Sequence, residues 1–253
     1  MFLTGATSGL GEALARHYAS KGATLALFAR RDNELQRLAR ELAPAQVATY
    51  AGDVRNAGDL ARAGADFIAN RGIPDIVIGN AGVSRGTLTQ HAEDLPAFRA
   101  VFDTNVMGLV HTFQPFLQAM IDARHGTLVG IASVAGFRGI PGSGAYSGSK
   151  AAAIAYLESL RVEMRATGVS VVTIAPGYIA TPLTSKNPYR MPFLLTPERA
   201  AELIVHAIDR RKRFYILPWQ MAVAGRVLRL LPRWLYDRAS ARAKRKPRHF
   251  DAS

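Results

Sequence analysis

The sequence predicts an α/β protein: a single doubly wound domain with a mainly parallel seven-stranded sheet, helices on both faces and a basic C-terminal helical tail. Short apolar runs alternate with longer amphipathic segments as far as residue 217. Parallel strands joined by right-handed helical crossovers are covered on both faces, so they appear in a sequence as continuous apolar runs. The runs IVIGNAG and VSVVTIAPG have this character.

Each element is predicted from the period of its apolar residues. Strands are expected at 1–4, 23–29, 46–51, 75–79, 126–132, 169–175 and 213–217, and helices at 9–21, 32–43, 56–71, 95–124, 144–167 and 197–210. Asp32 is predicted to be the N-cap of the second helix. There is no internal repeat and no linker before residue 217, which indicates one domain, 1–217, followed by a C-terminal extension, 218–253.

The composition is typical of a globular protein, with 49% hydrophobic and 20% charged residues. The absence of cysteine excludes disulfides and thiolate metal sites, and no metal site is expected. The N-terminal apolar run is too short for a signal peptide, and no run reaches the roughly 18 residues of a membrane span. We therefore expect a cytoplasmic protein.

The C-terminal extension carries most of the net charge of +13. Residues 1–209 contain 19 basic and 17 acidic residues, whereas residues 210–253 contain 13 basic and 2 acidic ones. Pro218 can open a helix, and Pro232 lies where it would end or kink one. One face of this helix is basic (Arg226, Arg229, Arg233), another is largely apolar (Val223, Val227, Leu230, Leu231, Trp234), and Tyr215, Trp219, Tyr236 and the basic cluster 242–246 flank them.

A basic amphipathic helix with flanking aromatic residues is typical of binding to a membrane surface. Each basic residue near an anionic surface contributes about 1 kcal/mol. Peripheral association with the inner face of a membrane is therefore the favoured interpretation of the extension. The alternatives are packing over the substrate cleft or at a subunit interface. Nucleic acid is the least favoured partner, because the rest of the chain offers no second basic face.

The segment TGATSGLG lies between the first predicted strand and the first predicted helix. Its three glycines, spaced G-x-x-x-G-x-G, allow a tight turn and let backbone N–H groups approach a pyrophosphate, whose charge a helix N-terminus favours. In a βα unit this pattern predicts dinucleotide binding. The residues of the turn that we expect to contact the dinucleotide are Gly5, Thr7, Ser8, Gly9, Leu10 and Gly11.

Further motifs follow in order: Asn80-Ala81-Gly82, Asn105 in FDTNVMG, Ser133, Tyr146-x-x-x-Lys150 and Pro176-Gly177. Together with the glycine-rich turn, this set resembles the short-chain dehydrogenase/reductase family over about residues 1–210. The resemblance implies a Rossmann-type domain, a nicotinamide-dependent oxidoreductase acting on CH–OH groups, and a homodimer or homotetramer. The first strand departs from the family pattern because only three residues precede Thr4. Either the natural chain starts upstream or this strand is trimmed.

Tyr146 and Lys150 are about one helical turn apart and therefore share a face. Carbonyl reduction leaves an alkoxide that needs a proton, and a phenol with a pKa of about 10 is a poor acid/base near neutrality unless its phenolate is stabilised. A nearby cation lowers the pKa of an acid by roughly 1–3 units. The resemblance implies that Tyr146 is the proton donor or acceptor, and that Lys150 modifies its pKa and binds the ribose. It also implies that Ser133 bonds the substrate oxygen and that Asn105 helps to hold a water in a proton relay.

The resemblance places the remaining cofactor contacts as well. Asp53 corresponds to an acid that contacts the adenine, and Asn80 to a residue that steadies the central strands. Thr181 and Leu183 would lie beside the carboxamide and the lid over it. Beyond the glycine-rich turn, the expected cofactor contacts are Arg30, Arg31, Asp53, Val54, Asn80, Ala81, Gly82, Tyr146, Lys150, Pro176, Gly177, Ile179 and Thr181.

The end of the second strand discriminates between NADP and NAD. An acid there accepts a hydrogen bond from the ribose 2′-OH and repels a 2′-phosphate, whereas an arginine does the reverse. This sequence has Ala29 at the position of the acid, followed by Arg30 and Arg31. NADP(H) is therefore the predicted cofactor, bound through Arg30 with the help of Ser8 or Arg31.

The predicted function is hydride transfer between NADP(H) and a carbonyl or secondary alcohol, and a membrane-bound tail would favour a lipophilic substrate. The segment at about 177–197 is expected to be the substrate loop. Its apolar residues either line an apolar pocket or pack as the core of the loop: Met191, Phe193, Leu194 and Leu195. The alternatives for function are a catalytically silent NADP-binding sensor and a membrane-peripheral scaffold. The intact catalytic set argues against a silent protein.

Overall fold

Seven parallel strands form one twisted sheet in the order β3-β2-β1-β4-β5-β6-β7. The computed structural model describes residues 1–185, 187–241 and 245–248. The strands are β1 (Phe2–Thr4), β2 (Leu25–Ala29), β3 (Val47–Ala51), β4 (Ile76–Gly79), β5 (Thr127–Ile131), β6 (Ser170–Pro176) and β7 (Phe214–Leu217). The doubly wound, seven-stranded fold class predicted from the sequence is confirmed.

Helices connect the strands and continue beyond the last one. They are α1 (Gly9–Ser20), α2 (Asp32–Glu41), α3 (Ala57–Arg71), α4 (Leu95–Phe102), α5 (Gly108–Asp122), α6 (Gly144–Glu163), α7 (Pro197–Asp209), α8 (Trp219–Leu230) and α9 (Arg233–Ser240). The single helix predicted at 95–124 is divided by one π-helical turn, Asp103–Met107. Asp32 is the first residue of α2 rather than its N-cap, which is Arg31. The carboxylate of Asp32 therefore complements the N-terminal dipole without capping a backbone N–H.

The alternation of side chains along the strands produces two cores, one on each face of the sheet. Leu3 of β1 points into the core covered by α1, α2 and α7, whereas its neighbour Phe2 points into the core covered by α3, α5 and α6. Phe2 and Phe116 pack with ring centroids 4.7 Å apart. Both faces of the central strand are thus fully buried, which accounts for its uninterrupted apolar sequence.

The order of the strands reverses at β1, which pairs with β2 on one side and β4 on the other. The loops that follow β1 and β4 therefore diverge and leave a crevice at the carboxyl ends of the strands. Asn80, directly after β4, donates from Nδ2 to the carbonyl oxygens of Thr4 and Gly5, at 3.1 Å each. This amide fixes the separation of the two loops at the crevice.

The C-terminal extension packs on the body through one face of α8. Met221 and Gly225 are its buried residues, and Gly225 lies against the ring of Phe137. The guanidinium of Arg138 donates to the carbonyl oxygens of Leu228 and Leu231, at 3.0 Å each. The packing alternative for this helix is therefore present in the structure, while its opposite face stays exposed.

One expectation for the extension is wrong, and a second is tested only in part. The chain turns at Leu231 and Pro232, so Arg233 and Trp234 belong to α9 and do not continue the faces of α8. In the basic cluster 242–246, residues 242–244 lie outside the described part of the chain, and Lys246 is buried rather than available to a membrane. None of the described helices combines the length and apolar character that crossing a membrane requires.

Candidate active site

A cavity of about 560 Å³ opens at the crevice, lined by the loops that follow β1 to β6. It brings together every residue predicted to contact the cofactor, as well as Ser133 and Leu183. The lining residues that the sequence singled out are Gly5, Thr7, Ser8, Gly9, Leu10, Gly11, Arg30, Arg31, Asp53, Val54, Asn80, Ala81, Gly82, Ser133, Tyr146, Lys150, Pro176, Gly177, Ile179, Thr181 and Leu183. Asn105 lies behind this lining, next to Val83.

The three glycine positions of the glycine-rich turn have no room for a side chain. Gly5 and Gly9 have φ angles of +66° and +54°, in the left-handed region that favours glycine. A Cβ atom on Gly11 would lie 2.0 Å from the carbonyl oxygen of Gly5. The turn thus holds its backbone tightly against the start of α1, where free N–H groups and the helix dipole suit a pyrophosphate. The cradle fits the dinucleotide that the sequence implies.

Tyr146 and Ser133 meet on the wall of this cavity. Tyr146 lies in the first turn of α6, and a hydrogen bond with Ser133 favours its ionised form. Ser133 caps the short turn after β5, because its Oγ accepts from the backbone N–H of Ala135 at 3.1 Å. The two hydroxyl groups are positioned by different elements, one by a strand end and the other by a helix start, and they converge on the same space.

Lys150 lies one turn along α6 and is almost completely buried. Its Nζ donates to the carbonyl oxygen of Ile131 at 2.8 Å and is 5.9 Å from the centroid of the Tyr146 ring. Burial lowers the pKa of Lys150 to about 8. The ammonium is therefore beside the phenol, as the sequence predicts, but it also donates a hydrogen bond to Ile131, the last residue of β5.

The direction of the pKa shift at Tyr146 differs from the sequence argument. From the sequence, the cation of Lys150 is expected to lower the pKa of Tyr146. In the structure burial raises this pKa, and the hydrogen bond with Ser133 offsets only part of the increase. Desolvation disfavours a charged phenolate more strongly than the neighbouring groups favour it. The phenol is accordingly protonated at neutral pH in this structure.

Asn105 sits in the π-helical turn and joins two walls of the site. Its Oδ1 accepts from the backbone N–H of Val83 at 2.8 Å, and its Nδ2 donates to the Val83 carbonyl at 3.0 Å and to Ser149 Oγ at 2.9 Å. Ser149 immediately precedes Lys150, so this amide ties the loop after β4 to α6. Sequence reasoning missed Val83 and Ser149, which no local pattern marks. The role of Asn105 in holding a water stays a prediction.

Arg30 and Arg31 follow β2 and line the opposite end of the cavity. Asp53, at the end of β3, is engaged by Arg55, whose Nε lies 2.9 and 3.0 Å from its two carboxylate oxygens. This pairing holds the pKa of Asp53 below its usual range. Arg55 also lines the cavity, and the sequence analysis did not single it out. Its only sequence signal is the two-residue spacing from Asp53.

The substrate loop covers the cavity with its first half only. Thr181, Pro182, Leu183 and Thr184 line the cavity, and the Thr181 side chain lies against Gly9. In the second half, Phe193 is 52% exposed and Leu194 46% exposed, so neither lines an apolar pocket nor packs as loop core. Met191 is absent from the cavity lining as well, and Leu195 packs partly on the main core.

Comparison with known proteins agrees with this geometry. The family model described as short chain dehydrogenase matches residues 1–191. An uncharacterized oxidoreductase of Myxococcus xanthus is 39% identical over 250 residues, which cover 96% of each chain. An 11-beta-hydroxysteroid dehydrogenase 1A of Arabidopsis thaliana is 37% identical over 187 residues, 73% of this chain and 53% of its own.

Solved structures give the same result. An alcohol dehydrogenase from the archaeon Thermococcus sibiricus, complexed with 5-hydroxy-NADP, has a TM-score of 0.76 at 26% identity, covering 85% of this chain and 94% of its own. A serine dehydrogenase in a closed form complexed with NADP+ has a TM-score of 0.73 at 29% identity, covering 82% of this chain and 88% of its own. The chain belongs to the short-chain dehydrogenase/reductase family, oxidoreductases that act on CH–OH groups with a nicotinamide cofactor.

Proposed function

We propose that this protein transfers a hydride between NADP(H) and a carbonyl or secondary alcohol, with Tyr146 as the acid/base. The observation that carries the proposal is the pairing of Tyr146 with Ser133 on the wall of the cavity that also contains the glycine-rich turn. The nicotinamide, when bound, supplies or accepts the hydride. In such a site Ser133 orients the substrate oxygen and Tyr146 exchanges a proton with it.

The protonation states of the two groups suit reduction. Burial keeps Tyr146 protonated, so the phenol is ready to give its proton to the developing alkoxide. In the direction of oxidation the phenol must first lose this proton, and the positive charge of Lys150 favours that loss. Because the pKa of Lys150 is lowered to about 8, this help is strongest below that pH.

Substitution of the phenol tests the acid/base role. Tyr146→Phe is expected to reduce the oxidation of NADPH by a panel of ketones and aldehydes by roughly 10²–10⁴-fold, the usual contribution of general acid catalysis. Tyr156→Phe is the matched control, since Tyr156 lies on the same helix but outside the cavity lining. Unchanged turnover in Tyr146→Phe would exclude the role. Binding of NADPH with no turnover in the unmodified protein would favour the silent sensor.

The preference for NADP(H) is inferred from the end of β2. Arg30 and Arg31 line the cavity there, and Ala29 occupies the position where an acid would select NAD. Asp32, the next acid in the chain, accepts a weak hydrogen bond from Gln36 at 3.4 Å. A guanidinium binds a phosphate through two parallel hydrogen bonds, so a 2′-phosphate complements this pair. The NADP ligands of the two similar structures support the same choice.

A cofactor comparison tests this preference. A hydrogen bond to a charged group contributes about 1.5–3 kcal/mol, so Arg30→Ala is expected to lower kcat/KM for NADPH by roughly 10–100-fold and to change kcat/KM for NADH little. Arg31→Ala should have a smaller effect in the same direction. Arg40→Ala, farther along α2, removes the same charge outside the cavity lining and serves as the control. Equal kcat/KM values for NADPH and NADH in the unmodified protein would contradict the inference.

A lipophilic substrate and contact with an anionic membrane surface are proposed from the exposed face of the extension. Trp219, Val223, Val227 and Leu230 are spaced three or four residues apart along α8, opposite the buried Met221, and their exposed fractions reach 83% at Leu230. Arg226 and Arg229 are exposed on the same helix. Apolar side chains flanked by arginines suit the headgroup region of a bilayer.

Vesicle flotation tests this contact on the full chain. We expect recovery with vesicles that contain phosphatidylserine, weaker recovery as salt is added, and loss of recovery in Trp219→Ser/Trp234→Ser. Phe193→Ser/Leu194→Ser also removes two exposed apolar side chains, from the substrate loop, and is the control. Equal recovery of all three proteins, or recovery with none of the vesicles, would refute the contact.

We also propose a homodimer or homotetramer, since members of this family commonly assemble as oligomers. Leu95, Met107 and Val162 are apolar side chains exposed at or near the helices on one face of the sheet, and they offer surface for such pairing. Light scattering after size-exclusion chromatography would measure the mass. A monomer at every concentration would contradict the proposal.

A further inference from the structure

The segment 245–248 returns from the C-terminal extension to the mouth of the cavity. Lys246 is only 6% exposed there. Its Nζ donates to Ser84 Oγ at 2.9 Å and to the carbonyl oxygen of Leu183 at 3.3 Å. Ser84 belongs to the loop after β4, whereas Leu183 belongs to the substrate loop and lines the cavity. One side chain therefore joins two loops on different sides of the mouth.

The three other residues of the same segment, Arg245, Pro247 and Arg248, also contact the body. The backbone N–H of Gly86 donates to the Pro247 carbonyl at 3.2 Å. Arg248 donates from Nε to Asp94 Oδ2 and from Nη2 to Glu93 Oε1, at 2.8 Å each. Asp94 is buried, and Arg248 lowers its pKa. Arg245 packs beside Gly142, where an added Cβ would lie 2.9 Å from the Arg245 Cβ.

These contacts differ in character from those of an incidental surface segment. They involve backbone, a buried ammonium and an ion pair with a buried carboxylate, and they reach three separate parts of the chain, at 84–94, at Gly142 and at Leu183, of which Leu183 lines the cavity. A pair with a desolvated partner is much less screened by solvent than an exposed one. The segment is thus positioned to hold the substrate loop in place.

We propose that residues 245–248 form a latch, which fastens the substrate loop across the substrate end of the cavity and must open to admit a bulky substrate. Opening of the latch releases Leu183 from Lys246, so the loop that carries Thr181 to Thr184 can move away from the cavity. The latch goes beyond the proposed function. Only its expected effect on turnover rests on that function.

Protection of the substrate loop tests the latch without any substrate. Chymotrypsin cleaves after Phe193, an exposed residue of this loop, and does not recognise the sequence of the latch, Arg-Lys-Pro-Arg; mass spectrometry identifies the product. Arg248→Glu places a negative charge beside Asp94 and Glu93 and should accelerate this cleavage at least several-fold. Lys246→Met, which keeps the apolar stem and removes the ammonium, should act in the same direction. Arg226→Glu is the control, because it makes the same charge reversal on the exposed face of α8.

The opposite perturbation locks the segment. The natural chain has no cysteine, so Gly142→Cys/Arg245→Cys introduces a single pair at positions whose Cβ atoms come within 2.9 Å. A disulfide needs Cβ atoms roughly 3.5–4.5 Å apart, which a small shift of the segment provides. Oxidation should slow cleavage after Phe193 below the rate of the unmodified protein, and a reductant should restore it. Gly142 has a φ of +75°, which disfavours cysteine, so the double variant is first shown to be folded by its Tm. Failure of that folded protein to crosslink would contradict the position assigned to the segment.

Turnover gives the second readout. Arg248→Glu should raise kcat/KM for bulky ketones several-fold. It should leave kcat/KM for small aldehydes and the affinity for NADPH unchanged. The oxidised cysteine pair should lower kcat/KM for bulky ketones. Cleavage rates equal to those of the unmodified protein in Arg248→Glu and Lys246→Met would overturn the latch. If Tyr146→Phe retains full turnover, the proposed function fails, yet the cleavage rates still decide whether the latch exists.

Discussion

Gly11→Ala tests how tightly the glycine-rich turn is packed. The added Cβ would lie 2.0 Å from the carbonyl oxygen of Gly5 and 2.7 Å from Asn80 Nδ2. A carbon and an oxygen normally approach no closer than about 3.3 Å, so the turn or α1 must move by about 1.3 Å. Overpacking in a rigid site costs about 1–3 kcal/mol, and the upper end applies here because the nearest atom belongs to the backbone. We expect the free energy of unfolding to fall by about 3 kcal/mol. We also expect the affinity for NADPH to fall by about tenfold or more.

Differential scanning calorimetry and isothermal titration calorimetry measure the two effects. For a chain of this length about 3 kcal/mol corresponds to a fall in Tm of roughly 6–12 °C. Gly144→Ala is the matched control, because an added Cβ there meets nothing within 4 Å at the start of α6. It should change the free energy of unfolding by less than about 1 kcal/mol, in the stabilising direction. A Gly11→Ala protein as stable as the unmodified one would refute the packing argument.

Three further results are expected. Asn80→Ala removes both hydrogen bonds to the end of β1 and should lower the free energy of unfolding by about 1–3 kcal/mol in urea; no change would mean that the amide does not hold the crevice. Leu157→Ala should cost about 2–5 kcal/mol in the same assay, because Leu157 is fully buried against Gly130, and a cost below about 1 kcal/mol would contradict the packing of α6. In a ¹⁵N-lysine NMR titration, Lys150 and Lys246 should have pKa values of about 8, with their signals assigned through Lys150→Met and Lys246→Met. Since both amines stay protonated to higher pH in the unfolded chain, their contribution to stability should rise between about pH 8 and pH 10.5; titration of both above pH 10 would refute their burial.

The strands were predictable because fully buried parallel strands have a continuous apolar sequence. The prediction of a strand at 23–29 corresponds to Leu25–Ala29, and that at 126–132 to Thr127–Ile131; both strands are fully buried. The carboxyl ends of these strands define one edge of the sheet, where Arg30 and Ser133 line the cavity. Tyr146 lies on a helix, and only the family resemblance predicted that it belongs to the same cleft.

The features that sequence reasoning missed depend on residues distant in the chain. The π-helical turn at Asn105 adds one residue within a helix whose apolar pattern continues on both sides. The contacts of Lys246 with Ser84 and of Arg248 with Asp94 span 162 and 154 residues, and no local pattern marks them. The raised pKa of Tyr146 is also non-local, because burial depends on how the rest of the chain packs around the phenol.

The residues that line the cavity are far apart in the sequence, and this has a consequence for biosynthesis. Its residues extend from Gly5 to Thr184, so a nascent polypeptide that stops before β6 has an incomplete binding surface. The dinucleotide therefore stabilises only the completely folded domain, by about 2.7 kcal/mol when its free concentration is 100 times its Kd. Cells short of the coenzyme should accumulate less of the mature protein, even when translation is unimpaired.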